Sequence, residues 1–364
     1  MKSFSDQIRD LIILNGPISV ERYMGLCLEH YYASRDPLGA AGDFTTAPEI
    51  SQIFGELIGL WFAEIWSLMG APQRVLWVEL GPGRGTLTAD ALRASQLVPA
   101  FHEALEVHLV ETSPVLREKQ QQTLGTSQKK VVWHETLESL PDDAPILIVA
   151  NEFFDALPVQ QYVTDGGQWR QRCIGLAEDN HSFRFGLFKS EQINMPLKPE
   201  EGQLLEYPAA SISYMTDLSL RLKKQSGTAL LIDYGYAAPA YGDSLQALYR
   251  HQFVDVLERA GEADLTTHVC FQYLASVARH AGLSVHGLAR QGEFLRQLGI
   301  EVRASMLAKA APDEADNIYR AVERLIETDS QNMGELFKIL AVSSLTNEEL
   351  PGIAINQNGI LTIV

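Results

Sequence analysis

The chain has 364 residues, 46% hydrophobic and 21% charged, enough apolar material for one large domain with additions or two packed domains, which excludes wholesale disorder. Its net charge of −17, from 29 basic and 46 acidic residues, excludes a diffuse nucleic-acid grip, which needs clustered Lys and Arg. That field suits a cationic protein or peptide partner; the plainer alternative is that acidity only keeps the chain soluble.

Three widely spaced cysteines, Cys27, Cys173 and Cys270, make neither a CxxC pair nor a zinc knuckle. Their sparse, odd count leads to the expectation of a reducing, cytoplasmic setting. The apolar runs fall short of the roughly 20 residues that cross a bilayer, so membrane insertion is not expected. The start, Met1-Lys2-Ser3-Phe4-Ser5-Asp6, lacks the pattern of a signal or transit peptide.

In chain order, residues 5–35 read as an N-terminal helical region, and residues 36–48 are rich in loop formers. Thr46 and Glu49 stand three apart, as in a capping box, and Pro48 suits a first helical turn. Ile50, Ile53, Phe54, Leu57, Ile58, Trp61, Ile65 and Leu68 then recur at helical spacing and stop near Gly70. Val75–Leu80 is a short apolar strand and Thr86–Ala94 a helix. Val107–Glu111 is a second strand, and Ser113-Pro114 opens a second helix. Val131–Trp133 is a third strand and Ile146–Ala150 a fourth, apolar throughout as in the middle of a parallel sheet. This alternation predicts an α/β fold with a Rossmann-like, doubly wound parallel sheet.

The next strand of that type, Ala229–Ile232, follows only after about 75 residues, against a usual crossover of a dozen or more. A β-rich insertion at about 158–226 is therefore expected, with Gln168–Cys173 and Ser182–Phe188 as alternating strands. Residues 265–282 read as a helix, Leu283–Gly287 as a strand, and 313–328 and 332–344 as two more helices. The expected division is a helical region with a lid loop over 1–70 and the α/β domain over 71–364.

The first strand runs into Gly81-x-Gly83-x-Gly85 and a helix follows at once. A ligand lying across a strand end needs backbone that turns sharply and comes close, and side chains would block it. A nicotinamide dinucleotide loop looks similar, but its G-x-G-x-x-G spacing serves a pyrophosphate, which the carboxylate of Glu79 would repel. S-adenosylmethionine carries no phosphate and bears a sulfonium and an ammonium, so nearby acids suit it. Glu111, ending the second strand, is placed to accept ribose hydroxyls; the plainer reading is a solvated strand end.

Several strings resemble the MidA methyltransferase family. They are Gly42-Asp43-Phe44-Thr45-Thr46-Ala47-Pro48-Glu49-Ile50-Ser51-Gln52, Val78-Glu79-Leu80-Gly81-Pro82-Gly83-Arg84-Gly85-Thr86-Leu87, Val110-Glu111-Thr112-Ser113-Pro114 and Asn151-Glu152-Phe153-Phe154-Asp155-Ala156-Leu157-Pro158. Ile232-Asp233-Tyr234-Gly235, Gly242-Asp243-Ser244-Leu245-Gln246-Ala247, Asp264-Leu265-Thr266-Thr267-His268-Val269 and Gln291-Gly292-Glu293-Phe294-Leu295 extend the resemblance to about residue 300. Cys270 departs from the pattern, where an acid is expected. The resemblance implies an S-adenosylmethionine-dependent enzyme. For mitochondrial members, which assemble respiratory complex I, it implies methylation of arginine on a complex I core subunit.

Glu152 and Asp155 directly follow the fourth strand, at the sheet edge where ligands bind. Carboxylates pair bidentately with a guanidinium, so both are candidates to orient an arginine and accept its proton. The plainer reading of Asp155 is a capping residue. Asn151 is a candidate for the amino end of the cofactor. Asp233 and Tyr234 end the fifth strand on the same edge and are expected to line the substrate channel, or merely a turn. Asp43, Thr45 and Thr46 belong to the expected glycine-hinged lid. His251 and His268 have no partner at ligand spacing, so no metal is expected. The rival functions are a small-molecule methyltransferase, a cofactor-binding assembly chaperone with little turnover, and an NAD-dependent dehydrogenase, which the glycine spacing disfavours.

Overall fold

The computed structural model describes residues 2–34, 43, 45–125, 127, 129–188, 195–329, 332–346, 348–356, 359 and 361. Helix α1 (Phe4–Asn15) opens with a reciprocal cap between Ser3 and Asp6 and ends at Gly16. Helix α2 (Val20–Ser34) follows. Between them Ile18 and Ser19 pair antiparallel with Ile174 and Cys173, a two-residue strand invisible inside a region that reads as helical. Ile8, Ile12, Tyr23 and Met24 bury against Ile174 and Leu265. The N-terminal helices are thus held by the insertion.

The next helix is broken. Ala47–Ile50 makes one turn, Ser51 is extended at φ −153°, and α3 (Gln52–Leu68) restarts with the Ser51 side chain capping Ile53. The expected capping box at Thr46 does not form, since the Thr46 side chain makes no cap bond. Glu49 instead reaches across to the Thr86 hydroxyl and to Arg84 at 3.6 Å. A cation and a hydroxyl outside the helix outcompete its own first amide.

The strand β1 (Val75–Leu80) leads into α4 (Thr86–Ser95), and β2 (Leu105–Val110) into α5 (Pro114–Leu124). Then come β3 (Val131–His134), β4 (Ile146–Asn151), β5 (Gly227–Tyr236), β6 (Ser284–Arg290) and β7 (Phe337–Ser343). The sheet order is β3-β2-β1-β4-β5-β7-β6. β7 alone runs against the direction of the other six strands. The order reverses between β1 and β4, and the crevice at their carboxyl ends is where such sheets bind ligands.

Two helical expectations are corrected here. In 332–344 only Met333–Leu336 is helical, and β7 follows with all seven residues buried. Periodicity cannot tell a short, fully apolar run in a helix from one in a central strand; burial on both sheet faces decides it. In 265–282 the helix is confined to Phe271–His280, because Asp264–Thr266 and Val269–Cys270 are strands.

The insertion between β4 and β5 is β-rich: Gln160–Asp165, Gln168–Leu176, Phe183–Leu187 and Leu204–Tyr207 pair antiparallel. Beside the central sheet, α3 fixes α4. A Cβ on Gly55 would lie 2.7 Å from Asp90 Cβ, and one on Gly59 2.7 Å from Ala91 Cα. Because α4 starts at the glycine loop, this contact sets where the loop stands.

Candidate active site

The chain leaves β1 through three glycines with left-handed φ values, +59° at Gly81, +54° at Gly83 and +81° at Gly85. Side chains are strained there, and a Cβ on Gly81 would also meet the Phe153 ring at 3.1 Å. Gly85 is the cap of α4. Glu79 is 4% exposed, and it accepts from the Thr88 hydroxyl, which in turn takes the Trp77 indole N–H at 2.9 Å. Burial pushes the Glu79 carboxyl up to about 8.

Glu111, one residue beyond β2, is also buried, and burial raises its pKa. One carboxylate oxygen accepts the Ser113 N–H at 2.8 Å and the other the Gln120 amide at 3.2 Å. Gln120 donates to the Gly83 carbonyl at 2.8 Å as well, and its own oxygen takes the Trp133 N–H at 2.8 Å. Gln120 therefore ties the glycine loop to Glu111. Sequence reading missed it, because it lies in the middle of a polar helix and only the packing of α5 brings it here.

At the end of β4, Asn151 donates to Glu152 Oε1 at 3.2 Å, while its own Oδ1 is buried without a partner among the described residues. Glu152 has a φ of +51°, and its N–H donates to the Ile232 carbonyl at 2.9 Å. Burial, and then the nearby Asp155 carboxylate, push its carboxyl up to about 8.

The structure separates residues that sequence grouped together. Glu152, Asn151 and Phe153 line a cavity of about 470 Å³ with Glu79, Gly81, Gly83 and Glu111, within the size range of small-ligand sites. Asp155, Asp233, Tyr234 and Gly85 do not line it. Asp155 is 4% exposed, bonded by the Tyr234 hydroxyl, and burial raises its pKa. Asp233 is 2% exposed. It accepts the backbone N–H groups of Phe154 at 3.0 Å, Asp155 at 3.2 Å and Tyr234 at 2.9 Å. Burial and the neighbouring Asp155 raise it well above the usual carboxylate range. Tyr234 packs edge-on against Phe337 and His268. Asp233 and Tyr234, read from sequence as lining a channel or forming a turn, thus stand off the wall of this cavity.

The N-terminal region closes the other wall. Leu28, Glu29, Tyr32 and Ala33 of α2 line the cavity, with Thr46, Pro48 and Glu49. Sequence reading missed the α2 residues, since nothing local marks which helix face meets a distant loop. The Ser113 hydroxyl pins this wall by donating to the Tyr32 carbonyl at 2.6 Å. Thr45 is not on the cavity wall. Asp43 is 2% exposed and also away from the wall; it accepts the Tyr31 hydroxyl and the Arg250 N–H, each at 2.7 Å. The rest of the expected lid, residues 35–42 and 44, lies outside the described residues.

The donor set suits a ligand with hydroxyls at one end and cationic groups at the other. Glu111 keeps lone pairs beyond its two internal bonds, and the buried Asn151 oxygen can accept an ammonium N–H. Among the described residues, five carboxylates line the cavity, Glu29, Glu49, Glu79, Glu111 and Glu152, against one cation, Arg84.

A family model described as "Putative S-adenosyl-L-methionine-dependent methyltransferase" matches residues 57–289. The chain is 37% identical to the mitochondrial protein arginine methyltransferase NDUFAF7 homolog of Drosophila melanogaster, over 93% of this chain and 84% of that protein. It is 34% identical to the mitochondrial protein arginine methyltransferase of Danio rerio, over 94% and 87%. A structure from Burkholderia thailandensis with S-adenosyl-homocysteine bound shares the fold at a TM-score of 0.85 and 24% identity, over 98% of this chain and 96% of that one. A native structure from the same organism gives 0.82 and 25%, with the same coverage. The mitochondrial relatives overturn the cytoplasmic expectation. The three cysteines are free and buried; their scatter speaks against disulfides, but it does not tell one reducing compartment from another. Among the described residues, no helix is long and apolar enough to cross a membrane.

Proposed function

Because this chain belongs to the MidA-type family of S-adenosyl-L-methionine-dependent methyltransferases, we propose that it methylates a guanidinium nitrogen of arginine in a protein, with a respiratory complex I core subunit as the client. The observation that carries this reading is Glu152, a carboxylate at the end of β4 on the wall of a cavity whose described residues include five acids and one cation. The names of the arginine-methylating relatives support it; the complex I client rests on the family resemblance.

S-adenosylmethionine supplies an electrophilic methyl group on a positively charged sulfur. In the proposed arrangement the glycine loop and Glu79 hold its amino-acid end with Asn151, and Glu111, braced by Gln120, accepts the ribose hydroxyls. Glu152 orients the guanidinium and takes its proton as the nitrogen bonds the methyl carbon and the carbon–sulfur electron pair stays on sulfur. With its carboxyl raised to about 8, Glu152 shares a proton near neutral pH. An arriving guanidinium favours its charged form. Asp155 sits behind Glu152 and acts on its charge rather than on the substrate.

The test is methyl transfer from radiolabelled S-adenosylmethionine into a lysate of cells lacking this protein, followed by mass spectrometry of the labelled band. The expected product is methylarginine in a complex I subunit. Label confined to small molecules, or no label, overturns the reading.

A further inference from the structure

The strands Gln246–Tyr249 and Gln252–Val254 form a hairpin with Tyr249 opposite Gln252. Its two turn residues, Arg250 and His251, have φ values of +50° and +61°. Such two-residue turns favour Asn-Gly, because most side chains are strained at positive φ. Here the strained positions carry two large side chains, both exposed. Phe253, on the next strand, is 74% exposed. Strain of this kind persists only where the surrounding structure over-determines it, and it clusters at functional sites.

The fold nevertheless holds this tip firmly. Asp43 accepts the Arg250 N–H at 2.7 Å through its carboxylate and the His251 N–H at 3.0 Å through its carbonyl. The same carboxylate takes the Tyr31 hydroxyl at 2.7 Å. Tyr31 precedes Tyr32, and Asp43 stands three residues before Thr46; both Tyr32 and Thr46 line the cavity. Asp43 therefore links the tip to residues next to the cavity wall. The Arg250 guanidinium lies 5.1 Å from the Tyr249 ring centre, and the residue is exposed to solvent. On a chain of net charge −17, such an arginine is a point where an acidic partner group is attracted rather than repelled.

We infer that the Arg250–His251–Phe253 tip is the docking point for the folded protein that carries the acceptor arginine, gripping an acidic and apolar patch beside it. This rests on the proposed function. A methyl-accepting side chain must enter the cavity, and a contact outside it orients the protein without entering the reaction. The tip is a positioning element: it contributes binding energy to the folded substrate and none to a short peptide that does not reach it.

The test compares the wild-type chain with Arg250→Asn/His251→Gly and, separately, Phe253→Ser. The double variant puts residues that prefer positive φ into the turn, so the hairpin keeps its shape. The acceptors are the intact complex I subunit labelled in the lysate experiment and a short peptide spanning its methylated arginine. Expected is a KM for the intact subunit at least about fivefold higher in each variant, with kcat unchanged, and unaltered rates on the peptide. Unchanged KM on the intact subunit, or an equal loss on the peptide, overturns the docking role. Failure of the wild-type chain to methylate any protein overturns the proposed function instead.

Discussion

The Asp233 carboxylate accepts the backbone N–H of Phe154 at 3.0 Å, so a buried acid at the end of β5 holds the turn that presents Glu152 from β4. The same carboxylate takes two further amides, of Asp155 and Tyr234. Glu152 sits at a φ of +51°, which the chain sustains only while these neighbours over-determine it.

Replacing that carboxylate should therefore act on geometry and on pH. Asp233→Ala leaves buried amides unpaired and should cost about 2–4 kcal/mol in chemical denaturation. The folded-state pKa values of Asp233 and Asp155 are raised. Stability from these groups is thus fully present below their unfolded pKa, near 4, and is lost as pH rises through the folded values. Asp233→Asn keeps an acceptor and removes one titrating group. Its stability should fall less steeply than that of wild type as pH rises from about 4. Parallel curves for the two proteins would rule out the buried acid pair as the cause.

Glu152→Gln keeps the shape and removes the charge. Turnover should fall on the order of 10²-fold or more, with cofactor affinity by calorimetry changing far less. In wild type, kcat/KM should rise with pH towards the value of about 8 given by the buried carboxyl, and this limb should vanish in the variant. A variant whose only defect is weak cofactor binding would move Glu152 to the cofactor site.

Gln120→Leu removes the donor shared by Gly83 and Glu111. Cofactor affinity should weaken about tenfold, the scale of one lost charge-assisted hydrogen bond, with kcat at saturation little changed. Gly83→Val should abolish binding, but at a φ of +54° its β-branched side chain also strains the loop. Gln120→Leu is the cleaner probe. Unchanged affinity in it would detach Glu111 from the cofactor.

Gly59→Val puts side-chain atoms where Ala91 Cα already lies 2.7 Å from a single added Cβ. Overpacking should cost about 2–3 kcal/mol. Because α4 carries the glycine loop, cofactor affinity should fall with stability although Gly59 lies outside the cavity wall. A stable variant with normal affinity would show that α3 does not set the loop.

The sequence by itself determined the parallel β-α alternation, the glycine loop, and the placing of Glu111, Asn151 and Glu152 at strand ends. These are local statements: short apolar strands announce themselves, and the residue after a strand stands at the sheet edge by connectivity alone. Only the tertiary structure decided the rest. It made β7 a strand and turned Asp155, Asp233 and Asp43 inward as braces. It brought α2 and Gln120 to the cavity. Each of these depends on which surface covers a residue, and that surface comes from tens or hundreds of residues away. Glu152 and Asp155 are the sharpest case: two acids three apart in one turn read alike in sequence, yet one lines the cavity with the glycine loop and α2 while the other is buried off its wall, bonded by the Tyr234 hydroxyl of β5.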